Sequence, residues 1–192
     1  MRTCLAAVIP LLFAFSLPAA ADDQVLDATT VTCAELAEAD QSQSKDDALG
    51  GFALLAWMAG YHATQEQGTV VDFDGLKTDI QRTVEFCRDH PKIGVYTASE
   101  KFMGENATEA TSEAVDLSTF KCQRIVDLAN NNNDDTLAFI MMWLAGYYAS
   151  YAEDKSIDTE KMRKEVYELG KDCALNRGAG LITVADKHMQ HE

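Results

Sequence analysis

The chain of 192 residues carries 16 Lys and Arg against 31 Asp and Glu, a formal net charge of −15. So large an acidic excess, with no basic cluster to offset it, argues against nucleic acid and anionic membrane surfaces as partners at neutral pH. The length suits one ordinary domain or two small ones.

Residues 1–21 have the three-part layout of a cleaved secretory signal: Arg2, an apolar stretch from Leu5 to Leu17, then Ala19-Ala20-Ala21 before the polar Asp22-Asp23. The apolar stretch is too short to span a bilayer, so the expectation is export, cleavage near Ala21 and no membrane span afterwards. Cys4 leaves with the signal, and four cysteines remain in the exported chain. Near pH 2, with its carboxyls neutral, that exported chain would carry about +19.

The polar stretch Asp22 to Val31 leads to Thr32-Cys33-Ala34-Glu35, which has capping-box spacing and predicts a short helix to about Asp40. After the loop Gln41 to Lys45, Asp46-Asp47 opens a helix with Phe52, Leu55, Ala56, Ala59 and Ala63 on one face. Gly50, Gly51 and Gly60 within it point to close approach by another helix or to plain core packing. A third helix from Asp72 or Asp74 carries Leu76, Ile80, Val84 and Cys87, and His90-Pro91 ends it. A last short helix spans roughly Val95 to Phe102, and Gly104 to Asp116 reads as a linker.

The plan then repeats. Trp57-Met58-Ala59-Gly60-Tyr61 returns as Trp143-Leu144-Ala145-Gly146-Tyr147, and both Trp57 to Cys87 and Trp143 to Cys173 are steps of 30. The common offset of 86 also carries Asp72 onto Asp158, Leu76 onto Met162 and Gly94 onto Gly180. Cys33 lies 24 before its Trp and Cys122 lies 21 before its own, read as a three-residue loop difference. In the second copy Ser118 is the expected N-cap of the helix carrying Cys122, Ile125 and Leu128, followed by the Asn130–Asn133 loop. Next come an uncharged buried helix over Leu137 to Ala152 opened by Asp134-Asp135, a helix from Asp158-Thr159, and a fourth within Gly178 to His188. Without any alternating run of β-branched residues, the fold class is all-α: two tandem small four-helix units. The divisions are a signal at 1–21, repeat one at 22–103, a linker at 104–116 and repeat two at 117–192.

Export and four cysteines make disulfides the default, and the repeat selects one pairing: Cys33 with Cys87, and Cys122 with Cys173. Closing a loop of 54 residues removes unfolded-chain entropy worth about 4 kcal/mol. Cysteine spacings of 54, 35 and 51 lack the close pair of a zinc site.

No nucleophile elbow, phosphate loop, zinc-protease helix or dinucleotide fingerprint occurs, so no enzyme, catalytic residue, cofactor or metal is expected. Asp72-Phe73-Asp74-Gly75 resembles a fragment of a calcium loop but is explained by helix capping. His188 and His191 could share a helical face toward a metal, though they sit at the frayed end. Tyr147, Tyr148 and Tyr151 with Met141 and Met142 form a stripe that reads as core.

Thr32-Cys33, the apolar helix with Trp57 and Gly60-Tyr61, the Asp72-led helix, Val84, Phe86-Cys87 and Pro91 together resemble the HdeA/HdeB family of periplasmic acid-stress chaperones. The second copy is similar through Cys122, Trp143, Gly146-Tyr147, Asp158 and Cys173, with no proline after its last cysteine. The resemblance implies a disulfide-stapled four-helix fold, dimeric and inactive near neutrality, that loosens in acid and holds unfolded periplasmic proteins through its central helix. Family members usually carry one such unit; here two are fused, and their self-association could be between the repeats or in a homodimer. The expected client or dimer surface is Phe52, Leu55, Trp57, Met58 and Tyr61 in one copy and Phe139, Ile140, Trp143, Leu144 and Tyr147 in the other. The alternative is a non-catalytic binding or scaffolding module without acid activity. Helix N-terminal carboxylates such as Glu35 are expected to have depressed pKa values, a stabilisation lost in acid.

Overall fold

A computed structural model describes residues 25–42, 44–63, 68–105, 107, 114–131 and 133–189; the expected signal at 1–21, His191 and most of the 104–116 linker lie outside them. Among the described residues the chain forms eight α-helices and four strands of two or three residues. Unit one holds α1 (Cys33–Gln41), α2 (Lys45–His62), α3 (Phe73–Asp89) and α4 (Val95–Ser99), the last running into one π-helical turn over Glu100–Glu105. Unit two holds α5 (Cys122–Asn130), α6 (Asp134–Tyr151), α7 (Thr159–Leu175) and α8 (Leu181–Met189). The all-α class and the two tandem four-helix units stand as expected.

Local chemistry sets the helix ends. Thr32 caps α1 in a full capping box: its hydroxyl accepts from the Glu35 N–H, and the Glu35 carboxylate accepts from the Thr32 N–H at 2.7 Å. Asp72 accepts from the N–H groups of Asp74 and Gly75 to start α3, and Asp158 accepts from the Lys161 N–H to start α7. The fragment resembling a calcium loop is therefore a cap.

Two local expectations are corrected. Ser118 does not cap α5. It lies in a 3-10 turn (Leu117–Thr119) begun by Asp116, and α5 starts only at Cys122 because Lys121 is drawn out into a bridge with Gly180. The three extra residues between Cys33 and Trp57 are not in a loop either, since α1 and α5 are each 9 residues long and three residues follow each. The extra residues form the first turn of α2, which begins 12 residues before its Trp, against 9 in α6.

Both expected disulfides form, Cys33–Cys87 and Cys122–Cys173, each pinning the start of a unit's first helix to the end of its third. In each unit the segment before the first helix pairs with the segment before the fourth: the Cys33 N–H donates to the Ile93 carbonyl at 2.8 Å, and the Cys122 N–H to the Ala179 carbonyl at 2.9 Å. The disulfide and this ladder hold each unit closed on itself.

The units join through their apolar helices. α2 and α6 are apolar nearly all round, so neither can be covered by its own unit alone. α2 packs on α1 and α4 and α6 on α5 and α8, and the remaining face of each lies against the other. The crossing point is set by glycine: a Cβ on Gly60 would meet the Trp143 carbonyl carbon at 2.7 Å and the Tyr147 nitrogen at 2.9 Å, and a Cβ on Gly146 would meet the equivalent Trp57 and Tyr61 atoms at 2.8 and 2.9 Å.

Substituting either glycine tests this crossing. Gly60→Ala gains about 1 kcal/mol of helix propensity, yet the obstacle is backbone, which cannot swing aside, so we expect a net loss of about 1–3 kcal/mol in urea unfolding, with Gly146→Ala equivalent. Unchanged midpoints in both would show that the helices do not meet here.

Candidate interface and its joints

Beside the crossing, two short strand pairs tie the units together, and sequence reading anticipated neither. β1 (Val25–Asp27) precedes α1 and pairs antiparallel with β4 (Ser156–Asp158), which leads into α7. β2 (Val70–Val71) leads into α3 and pairs with β3 (Val115–Asp116), which precedes α5. Val115 and Asp116 thus form a strand within the stretch read as linker. Each unit hands its leading strand to the other: Leu26 stands opposite Ile157, and Val115 opposite Val71. The Ala28 N–H donates to the Lys155 carbonyl and the Leu117 N–H to the Thr69 carbonyl, both at 2.9 Å.

The aromatic residues follow the same two-fold plan. Trp57 stacks on Tyr61 and Trp143 on Tyr147, each pair with ring centroids 5.2 Å apart. Phe139 of α6 packs against both Phe52 and Phe73 of unit one, at 5.9 and 5.4 Å. Of the ten expected interface residues, Leu55, Trp57, Met58, Phe139, Ile140, Trp143, Leu144 and Tyr147 are buried, Tyr61 is partly buried, and Phe52 is 37% exposed. The closed form buries them in the core and offers almost none of them to solvent.

Tyr148 donates to Asp186 at 2.6 Å, and the Tyr147 and Tyr151 hydroxyls lie 2.6 Å apart, so Tyr147 and Tyr148 are core with their hydroxyls bonded, whereas Tyr151, expected in the same buried stripe, is 55% exposed at the end of α6. Burial, then these bonds, pushes the Tyr147 and Tyr148 hydroxyls up from the usual phenol range. His188 and Lys187 both contact the Asp172 carboxylate, at 2.9 and 2.6 Å. Among the described residues no group of three His, Cys, Asp or Glu is placed to hold a metal ion.

Carboxylates at the joints are held ionised. Asp27 accepts from the Thr29 hydroxyl at 2.6 Å and its N–H at 2.9 Å, which holds its pKa below the usual value, with Lys155 adding to the effect. Asp116 is lowered likewise by hydrogen bonds from Ser118 and from the Thr69 hydroxyl, the latter crossing between units at 2.7 Å. Glu35 is lowered by the Thr32 N–H and then its hydroxyl. A sequence signal for the joints did exist: Asp27-x-Thr29 and Asp116-x-Ser118 share the offset of 89 that relates Cys33 to Cys122.

The HdeA/HdeB family model matches residues 4–97. No curated protein and no solved structure matches the chain. No described helix is long and apolar enough to cross a membrane.

A lowered carboxylate stabilises the fold above its unfolded pKa and ceases to as pH falls through the folded one. With Asp27 and Asp116 starting from 3.8, the urea midpoint of the wild type should rise between about pH 2 and pH 5, and that of Asp27→Asn/Asp116→Asn should rise less. Equal rises would remove these carboxylates from the acid response.

Proposed function

The chain belongs to the HdeA/HdeB family through residues 4–97, and from that membership we propose that it is a non-catalytic periplasmic holdase, activated by acid, whose second unit is a further copy of the same fold. The observation that carries the reading is that each unit's most apolar helix is covered by the other unit's. Parting the units uncovers both faces at once, while the disulfides keep each unit from unravelling.

Acid supplies the parting force in two ways. Protonation removes the stabilisation at the joint carboxylates Asp27 and Asp116. It also converts an acidic chain into one of about +19, so opened molecules repel one another while their apolar helices engage unfolded clients. At neutral pH the seam recloses and the client is released. Acid-unfolded exported proteins are the partners in this reading, and Phe52, Trp57, Tyr61, Phe139, Trp143 and Tyr147 lie within the surface that meets them.

Two measurements test it. A client acidified to about pH 2–4 and then neutralised should stay soluble with this chain present and precipitate without it; equal precipitation would leave a binding or scaffolding module of the same fold. Locking both joints through their paired positions, Leu26→Cys with Ile157→Cys and Val71→Cys with Val115→Cys, should abolish protection when oxidised and restore it on selective reduction. Full protection by the locked form would place the client surface elsewhere.

A further inference from the structure

The two joints are built alike but furnished differently. At the joint between β1 and β4, the last residue of α2 is His62, a partly buried ring packed 5.1 Å from Tyr96 and 5.8 Å from Tyr61. Its Nε2 lies 3.0 Å from the hydroxyl of Ser99, a fully buried residue whose hydroxyl proton goes to the Tyr96 carbonyl at 2.8 Å. Ser99 therefore accepts, the neutral ring carries its proton on Nε2, and a further proton must go on Nδ1, which faces Gly104. The other face of this joint comes from unit two: the Lys155 ammonium sits 4.6 Å from the Tyr96 ring centroid, and the Lys155 carbonyl accepts the Ala28 N–H that closes the strand pair.

At the joint between β2 and β3 the same positions carry other groups. The offset of 86 takes His62 to Tyr148, Ser99 to Ala185 and Glu100 to Asp186, so a phenol bonded to a carboxylate stands in place of the imidazole. Thr69, bonded to Asp116, stands in place of Lys155.

We propose that His62 is a proton-operated latch that makes the β1–β4 joint open before the β2–β3 joint as the medium turns acidic. This deepens the acid-activated reading above and rests on it for its biological purpose, though not for its physics. Charging the ring adds a cation to a partly buried imidazole and sets it against Lys155 of the opposing unit across the Tyr96 ring that both contact. Other charged or titratable groups nearby are Glu100, which bears on Tyr96 and whose Cγ flanks Gly104 on the Nδ1 side of His62, and Glu153, which bears on Tyr61; Lys155 is the charge that acts on the ring. Burial first, then Lys155, lowers the His62 pKa from 6.5 to about 4. The stabilisation is thus whole above the unfolded value and disappears as pH falls from there through the folded value, a change in the folded-to-unfolded ratio on the order of a hundredfold.

The test compares the exported chain with His62→Gln, whose amide can donate to Ser99 but cannot charge. Between pH 7 and about 4 the folded-to-unfolded ratio of the wild type should fall on the order of a hundredfold more than that of the variant. Amide exchange in the wild type should show the Ala28 N–H losing protection at a higher pH than the Leu117 N–H, and the two losing it together in the variant. Equal pH slopes, or simultaneous loss at both amides in the wild type, would overturn the proposal. If the variant fails to fold, the ring of wild-type His62 followed by NMR decides: titration at the ordinary value while Ala28 stays protected would overturn the latch, and a ring neutral until Ala28 opens would support it. None of these measurements contains a client, so a failed latch leaves the holdase assays standing, and a failed holdase assay leaves the latch standing.

Discussion

Everything about how the units meet depends on two backbones approaching within touching distance where α2 crosses α6. Gly60 lies against the Trp143 carbonyl and Gly146 against the Trp57 carbonyl, so the absence of one atom in each helix decides the spacing of the whole seam. With that spacing fixed, the Trp and Tyr that flank each glycine fall into matched stacks, and the leading strand of each unit can reach the far unit's strand. The contact is isologous in the sense used for two-fold dimers: a patch meets its own duplicate. Here both patches are on one chain, so their effective concentration is set by a tether rather than by how much protein is present.

Two kinds of bond divide the molecule. Within a unit, a buried disulfide and the ladder before the first helix hold closure covalently and through backbone groups that do not titrate. Between units, the seam is apolar contact plus two short joints whose polar members, Asp27, Asp116, Lys155 and His62, are charged or can become so. In the proposed reading acid acts on the second kind, while the disulfides of the first do not titrate.

Helices, caps and disulfide pairing were legible in the sequence because each is either local or duplicated. The Thr32/Glu35 capping box needs only four residues of context, and Cys33–Cys87 follows from the second copy. The strands were not legible, since three residues such as Val25–Asp27 carry no usable alternation and their partners lie far away in the chain. Ser118 was misassigned as a cap because its composition suits either role, and only the bridge from Lys121 to Gly180 decides which. The interface residues were legible as apolar helix, with cover by the other repeat one of the options left open; what the sequence did not decide is that Gly60 and Gly146 sit at the crossing of the two helices.

Duplication within one chain permits something a symmetric dimer does not. In a homodimer the two joints are copies and meet acid on identical terms, so neither has reason to open first. In this chain the positions have diverged: imidazole and ammonium at one joint, phenol with carboxylate and a threonine hydroxyl at the other. A hinge follows from that difference. While β2 and β3 remain paired, opening at β1 and β4 frees one side of the contact between the units and leaves the other joined. Sequential opening uncovers the apolar faces gradually, with the last strand pair as the pivot, and return to neutrality rebuilds the seam from that pivot rather than from two free units.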